Sequence, residues 1–264
     1  MALNYHREGS GPPLVLLHGI GFHWQAWLPV IGHLSGDFDV IACDSPGFGR
    51  SDPLPDGVDP TVRAYADAFE AWFAEMGLDR PHVAGNSMGG AIALELADRG
   101  AAASATAFSP AGFWNTPELR YSQLSLGIIA HTPRPLRRPV AALARRKGAR
   151  AVLFAQLFGQ PGQIPADEAE AALRDAWASP AFGHALEAFS RYTYAPPAGQ
   201  ARAPVTVAWA KGDRLLPYRL QAPRARRLLP HARHVVIGAG HVPFFDDPAA
   251  CAAVIQSATQ GDTT

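Results

Sequence analysis

Cysteine and lysine are both scarce in this sequence of 264 residues, which has two cysteines and 23 basic residues that are almost all arginine. Cys43 and Cys251 lie far apart and are not accompanied by any His/Cys spacing typical of a zinc site. The sequence therefore predicts neither a disulfide scaffold nor a bound metal. Cys43 ends an apolar run, and we expect it to be a small buried core residue.

Net charge and long apolar runs are also lacking. The formal net charge is zero and only 17% of residues are charged, so no basic surface for nucleic acid or an anionic membrane is predicted. No apolar run approaches the length of a membrane span. The N-terminus lacks the charged and then apolar pattern of a signal peptide. We expect a cytoplasmic protein with no nucleic-acid or membrane partner, as a monomer or homodimer.

Short apolar runs alternate with segments of helical composition. The runs at 14–17, 40–43, 82–84, 103–108, 205–209 and 233–237 indicate buried strands, and residues 2–6 leave room for one edge strand. Residues 61–76, 91–99, 218–229 and 248–258 indicate helices. This alternation favours an α/β fold, with a mostly parallel central sheet that is covered by helices on both faces.

One interval breaks the alternation. Between residues 111 and 197 no strand is indicated, and several helical stretches are separated by prolines. This pattern predicts a helical lid or cap, residues 113–197, inserted into a core formed by residues 1–112 and 198–264. Because ligands gather at the carboxyl ends of parallel strands, we expect the lid to cover that edge of the sheet.

Ser87 is the candidate nucleophile. It lies at the centre of Gly85-Asn86-Ser87-Met88-Gly89, between a predicted strand and a predicted helix. That context is typical of a nucleophile elbow, in which flanking glycines allow a sharp turn that exposes the serine at the edge of the sheet. The same five residues also fit an ordinary turn in which the serine caps the helix.

Candidates for the base and the acid follow later strands. A serine hydroxyl needs a base to take its proton, and His241 lies in a glycine-rich loop just past the last predicted strand. Asp213 follows the preceding strand and could orient that histidine. Asp246 and Asp247 are predicted instead to place negative charge at the start of the last helix.

The chain resembles the α/β-hydrolase superfamily. Four motifs carry the resemblance: residues 16–21 with a His-Gly turn, residues 44–51, the Ser87 elbow, and the pair Gly212-Asp213 with Gly240-His241. Their order of nucleophile, acid and histidine is the superfamily's order. The resemblance implies an oxyanion hole formed by the backbone N–H groups of Ile20 and Met88, with Gly21 as an alternative to Ile20, and it implies no cofactor.

Aromatic and apolar residues near these motifs predict an apolar cleft. The candidates are Phe22, Trp24, Trp27, Met88, Trp114, Val242, Phe244 and Phe245, of which we expect about half to touch substrate. They favour a small, largely apolar substrate, so the predicted function is that of a serine carboxylesterase or lactonase. The basic residues between Arg134 and Arg150 are predicted to be solvated helix faces, or alternatively a surface that steers an anionic substrate.

Two other functions stay open on the sequence. Carbon–carbon bond hydrolases of ring-cleavage products share the Gly-Asn-Ser-Met-Gly-Gly elbow, and Arg174 loosely resembles their substrate-binding arginine. Those enzymes usually have tryptophan after the catalytic histidine, where this chain has Val242. A ligand-binding receptor that retains the triad is the other alternative.

Overall fold

The computed structural model describes residues 1–197 and 203–260. Its strands are β1 (Tyr5–Glu8), β2 (Pro13–Leu17), β3 (Asp39–Cys43), β4 (His82–Asn86), β5 (Ser104–Phe108), β6 (Val205–Ala210) and β7 (Arg233–Ile237). Its α-helices are α1 (Leu28–Leu34), α2 (Val62–Glu75), α3 (Met88–Arg99), α4 (Thr116–Ala130), α5 (Arg134–Ala144), α6 (Lys147–Leu153), α7 (Ala166–Ala178), α8 (Phe182–Phe189), α9 (Tyr218–Leu228) and α10 (Pro248–Thr259). Short 3-10 helices lie at Trp24–Trp27, Pro161–Gln163 and Pro243–Phe245.

The strands form one sheet of order β1-β3-β2-β4-β5-β6-β7 in the described part of the chain. All neighbouring strands run parallel except β1, which pairs antiparallel with β3. Residues of β5 and β6 are buried throughout, as expected for strands covered on both faces. The predicted α/β fold is confirmed. The edge strand lies at residues 5–8 rather than 2–6, because the pairing with β3 begins opposite Cys43.

The order of the strands reverses direction between β2 and β4. From β2 the chain continues outward to β3, and it then returns to place β4 on the other side of β2. Loops that leave the carboxyl ends of β2 and β4 therefore part in opposite directions and open a crevice between them. Because Leu17 pairs with Gly85 in register, the His18-Gly19 turn and Ser87 both lie at that crevice.

Helix α3 packs very closely against the strands that it follows. A methyl group added to Gly89 would lie 2.2 Å from the carbonyl oxygen of Leu17, and one added to Gly85 would lie 2.1 Å from that of Gly89. Any larger residue at these two positions would push the helix away from the sheet. Since the helix begins immediately after Ser87, it starts at Met88, three residues before the predicted start.

In the described part of the chain between β5 and β6 lie five α-helices, α4 to α8, and the 3-10 helix Pro161–Gln163. The two ends of this helical insertion (residues 113–197) are tied to each other. The indole N–H of Trp114 donates to the Tyr192 carbonyl over 3.0 Å, and the amide of Tyr194 donates to the Gly112 carbonyl over 3.0 Å. The insertion thus leaves the core and returns to it at one place, next to the strand end that carries Ser109.

Candidate active site

Ser87 occupies the sharp turn between β4 and α3. Its φ of +55° and ψ of −111° form a conformation that side-chain-bearing residues rarely adopt. Its amide donates to the carbonyl of Phe108 over 2.9 Å, which holds the turn against β5. The Ser87 hydroxyl does not cap the helix that it precedes. Strain at this residue and an uncommitted hydroxyl are typical of a functional site rather than of a capping serine.

His241 and Asp213 form a buried pair. Nδ1 of His241 lies 2.8 Å from Oδ2 of Asp213, with the side chains 3% and 0% exposed. The second oxygen of Asp213, Oδ1, accepts the amides of Leu215 and Leu216 over 2.9 and 2.7 Å. Because a carboxylate oxygen accepts, Nδ1 of the histidine must carry the proton, and Nε2 is left as the basic nitrogen.

Asn86 connects the nucleophile turn to the histidine loop (residues 238–242). Its side-chain Nδ2 donates to the backbone carbonyl of His241 over 2.9 Å and to that of Phe108 over 3.1 Å. In the described part of the chain no direct hydrogen bond joins Ser87 Oγ to the imidazole. Such bonds are often long in free enzymes and shorten when substrate binds. Sequence reasoning missed Asn86, although it stands inside the elbow motif.

The candidate oxyanion donors lie beside Ser87. A methyl group on Gly19 would lie 3.4 Å from Cβ of Ser87, so the turn that begins at Gly19 lies next to Ser87. The amide of Ile20 makes no hydrogen bond to the described residues, and Met88, as the first residue of α3, has no acceptor within its helix. Two amides without protein acceptors next to a serine hydroxyl form an arrangement that can bind an oxyanion.

His18 orients this turn. Its Nδ1 donates to the carbonyl of Gly19 over 2.7 Å, and its Nε2 accepts the amide of Ser45 over 2.8 Å. The Gly19 carbonyl belongs to the same rigid peptide unit as the amide of Ile20, and it also accepts the amide of Phe22 over 3.1 Å. These bonds fix the direction of the Ile20 N–H. Burial, which disfavours the charged imidazole, lowers the pKa of His18 to about 4.

The lowered pKa of His18 predicts that the folded protein loses stability in acid. The unfolded chain binds a proton at this histidine near pH 6.5 and the folded chain only near pH 4, so stability falls as the pH drops between these values. Between pH 7 and pH 4.5 we expect the wild type to lose about 2 kcal/mol more than His18→Asn. Urea unfolding at pH 7 and pH 4.5 measures the difference. The exposed His33, replaced in the same way, should leave the wild-type slope unchanged; equal slopes in all three proteins would contradict the assignment.

A small cleft opens onto Ser87. Its wall is mainly apolar, and it consists of Ile20, Met88, Ala111, Trp114, Leu119, Leu126, Leu186, Phe189, Leu215 and Leu216. The polar side chains of Ser122 and Gln123 also line it, but they donate to the backbone carbonyls of Leu215 and Leu186. Among the described residues no charged side chain lines this cleft. It therefore suits an uncharged, apolar group.

Two of the predicted pocket residues, Trp114 and Met88, line this cleft. Phe22 and Phe245 instead line a second, smaller cavity beneath α7, together with His23. The cleft residues from α4 and α8 were not predicted, because no sequence signal shows which face of an inserted helix turns toward the core.

The other predicted pocket residues have structural contacts. Trp24 stacks on His6 with ring centres 4.8 Å apart, and Phe244 packs in the core against Trp27 at 3.8 Å. Val242 is buried, and its amide donates to the carbonyl of Leu157 over 2.8 Å. These side chains support the loops around the site and do not line the cleft.

The basic residues of the helical insertion lie away from the cleft. Arg145 pairs with Glu170 at 2.9 Å, and the buried Arg150 donates to the backbone carbonyl of Ala144 over 3.1 Å. Arg174 is 64% exposed and pairs with Glu170, so it does not reach Ser87. None of these side chains offers a cation to a substrate bound beside Ser87.

The described residues contain no group of three or more His, Cys, Asp and Glu side chains that could hold a metal ion. They also contain no helix that is long and apolar enough to span a membrane.

The sequence and the structure are both similar to those of known proteins. Residues 14–254 match the family model described as the alpha/beta hydrolase family. An uncharacterized protein of Mycobacterium tuberculosis is 30% identical over 259 residues, which cover 91% of this chain and 73% of that protein. A pimeloyl-[acyl-carrier protein] methyl ester esterase of Legionella pneumophila is 36% identical over 97 residues, 37% of this chain and 36% of its own length. The crystal structure of a membrane phospholipase A is similar with a TM-score of 0.74 and 29% identity, covering 98% of this chain and 82% of that one.

Proposed function

The chain belongs to the alpha/beta hydrolase family, and from this premise we propose that it is a serine hydrolase that cleaves a carboxylic ester or lactone of a small apolar substrate. The observation that carries the proposal is the buried His241–Asp213 pair at 2.8 Å, together with a Ser87 hydroxyl that makes no capping hydrogen bond to α3. In this mechanism Nε2 of His241 takes the proton of Ser87 as its oxygen attacks the carbonyl carbon. The amides of Ile20 and Met88 stabilise the negative charge on the carbonyl oxygen.

The second half of the reaction follows from the same groups. The imidazolium of His241, stabilised by Asp213, donates its proton to the leaving alkoxide, and an acyl-enzyme remains on Ser87. His241 then removes a proton from water, whose oxygen attacks the acyl-enzyme carbonyl. Collapse of this second intermediate releases the carboxylic acid and returns the proton to Ser87. No metal or cofactor takes part in these steps.

The apolar wall of the cleft supports an uncharged acyl group. The relatives named as a methyl ester esterase and a phospholipase A agree with ester chemistry in general. The helical insertion would serve as a lid, because α4 and α8 supply Leu119, Leu126, Leu186 and Phe189 to the cleft. Excluding water in this way strengthens the electrostatic interactions at the reacting carbonyl.

Carbon–carbon bond hydrolysis of dienone acids has less support from the site. Such substrates carry carboxylates, and a buried carboxylate needs a cation or several hydrogen-bond donors. Arg174, the residue suggested for that role, pairs with Glu170 on the exposed side of α7. A receptor that only binds its ligand would not need a serine in a strained conformation with a hydroxyl free of capping hydrogen bonds. The conformation of Ser87 therefore favours an enzyme.

The test of the proposal is hydrolysis of p-nitrophenyl esters of increasing acyl length by the wild type and by Ser87→Ala. Ester turnover that depends on Ser87 supports the proposal. Absence of turnover with every ester, together with turnover of a dienone acid, would replace it with carbon–carbon bond cleavage.

Charge on the acyl group should decide the selectivity. We expect kcat/KM for p-nitrophenyl butyrate to exceed that for p-nitrophenyl hemisuccinate by about 100-fold or more, because the described cleft offers no cation to a buried carboxylate. The two esters share a four-carbon acyl chain and the same leaving group. Initial rates are corrected for the spontaneous hydrolysis of the hemisuccinate, whose own carboxylate attacks the ester, and they then compare the charge of the acyl group. Equal rates would show that the acyl group binds outside this cleft.

A further inference from the structure

Asp246 lies just before α10, but the amides that donate to its carboxylate belong to other segments and not to that helix. It lies between the Pro243–Phe245 turn and α10, five residues after His241. Its Oδ2 accepts the amides of Gly159 and Gly240, each over 2.8 Å, and its Oδ1 accepts the amide of Gln160 over 2.8 Å. One carboxylate thus joins the helical insertion to the residue that directly precedes His241.

Further contacts join the same two segments. The amide of Val242 donates to the carbonyl of Leu157 over 2.8 Å, on the other side of His241. A methyl group on Gly240 would lie 2.3 Å from the amide nitrogen of Gly159, so the two backbones touch without side chains between them. The insertion segment (residues 157–160) therefore packs directly on the histidine loop.

The histidine loop needs such contacts from outside. It contains glycine at positions 238 and 240, and glycine gives the backbone more conformational freedom than any other residue. Asp213 holds the imidazole of His241 and Asn86 holds its carbonyl. The peptide unit before it is held from the core side, where the amide of Gly212 donates to the Ala239 carbonyl over 2.9 Å. The amide of Gly240 is fixed by Asp246.

We propose that Asp246 is a positioning residue for His241, which makes the placement of the catalytic base depend on the seating of the insertion segment. The inference rests on the proposed function. Asp246 does not touch the imidazole in this arrangement, and it acts through the backbone of Gly240. When the insertion segment moves away, the carboxylate loses two of its three donors, and the histidine loop loses its contacts with the insertion.

The number of donors explains why a carboxylate is needed. Three amides point at two oxygens, and a carboxylate has enough lone pairs to accept all of them. In Asp246→Asn one oxygen becomes an NH₂ group, which cannot accept a hydrogen bond from an amide. The NH₂ group then faces either the backbone amides of Gly159 and Gly240 or the backbone amide of Gln160, all of which are donors themselves.

The first experiment compares Asp246→Asn with Asp247→Asn. Asp247 is the neighbouring carboxylate, but it only caps α10 through the amide of Ala250 at 3.0 Å, a role that asparagine fills well. We expect Asp246→Asn to lower kcat by about 10- to 100-fold with KM changed by about twofold or less, because misplacement of a catalytic group reduces turnover rather than binding. The control should keep wild-type constants. All rates are measured well below the melting temperature of each variant.

A second variant approaches from the insertion side. In Gly159→Ala the new methyl group would lie 3.0 Å from Oδ2 of Asp246 and 3.1 Å from the amide nitrogen of Gly240. It pushes on the carboxylate without changing the histidine loop itself. We expect a smaller loss in kcat than in Asp246→Asn, because the neighbouring atoms need to shift by only a few tenths of an ångström, with little change in KM. Normal kinetics in Asp246→Asn would overturn the proposal.

Hydrogen exchange separates this inference from the proposed function. The amides of Gly159, Gln160 and Gly240 should exchange faster in Asp246→Asn than in the wild type and in Asp247→Asn. Unchanged exchange at Gly240 would overturn the positioning role. If the wild type hydrolyses no ester, the proposed function fails, and exchange at Gly240 still decides whether Asp246 holds the histidine loop.

Discussion

Replacing Ser87 with alanine is expected to lower kcat by about a thousandfold or more while the fold is retained. Alanine lacks the oxygen that attacks the substrate in the proposed mechanism, and the amides of Ile20 and Met88 would then assist only a slow attack by water. The turn itself is unaffected, since the Ser87 hydroxyl makes no capping hydrogen bond. Initial rates with p-nitrophenyl butyrate and a thermal unfolding curve measure both parts of the expectation.

Ser109 provides a matched control for this variant. It is also a buried serine with positive φ at the end of a central strand, and its Oγ accepts the amide of Ala210 over 3.2 Å. Ser109→Ala should lose about 1 kcal/mol of stability, because that amide loses its acceptor, and should keep its kcat. If Ser87→Ala retained more than about a tenth of the activity, Ser87 would not be the nucleophile.

The arrangement of the candidate triad could be predicted because parallel strands end at one edge of a sheet. Each of Ser87, Asp213 and His241 follows an apolar run that the sequence marks as a buried strand. Once the runs are recognised as parallel, their following loops must meet. The structure brings Asp213 and His241 into contact at 2.8 Å, and Asn86 links His241 to the nucleophile turn.

The cleft could not be predicted in the same way, since inserted helices have no fixed direction relative to the sheet. Leu119 and Leu186 line the cleft, whereas Leu124, on the same helix as Leu119, is 73% exposed. Nothing in their local sequence separates them. Phe244 lies close to His241 in sequence, whereas its side chain packs against Trp27 in the core.

The adjacent residues Asp246 and Asp247 differ in whether local sequence predicts their hydrogen-bond partners. Asp247 caps α10, as its position before a proline and a helical stretch predicts. Asp246 binds amides 87 and 86 residues away in the helical insertion. Contacts between segments so distant in sequence depend on how the insertion docks, and no local pattern encodes that.

The Asp213→Asn variant is expected to lose a factor of about 10³ to 10⁴ in kcat, because its amide must hold His241 in the wrong tautomer. Oδ1 of Asp213 accepts the amides of Leu215 and Leu216, so in the variant the amide oxygen has to take that place. The NH₂ group is then forced toward Nδ1, 2.8 Å away in the wild type. Nδ1 becomes an acceptor, Nε2 carries the proton, and Ser87 is left without a base.

Kinetics and nitrogen-15 NMR of the imidazole test the two halves of this argument together. The loss in kcat should accompany a change of the protonated nitrogen of His241 from Nδ1 to Nε2, in a protein that still unfolds cooperatively. Asp247→Asn makes the same chemical change at a helix cap and should keep both the tautomer and the rate. If Asp246→Asn lost more activity than Asp213→Asn, the acid of the triad would be Asp246. The wild-type geometry argues against that outcome, since all three donors to Asp246 are backbone amides.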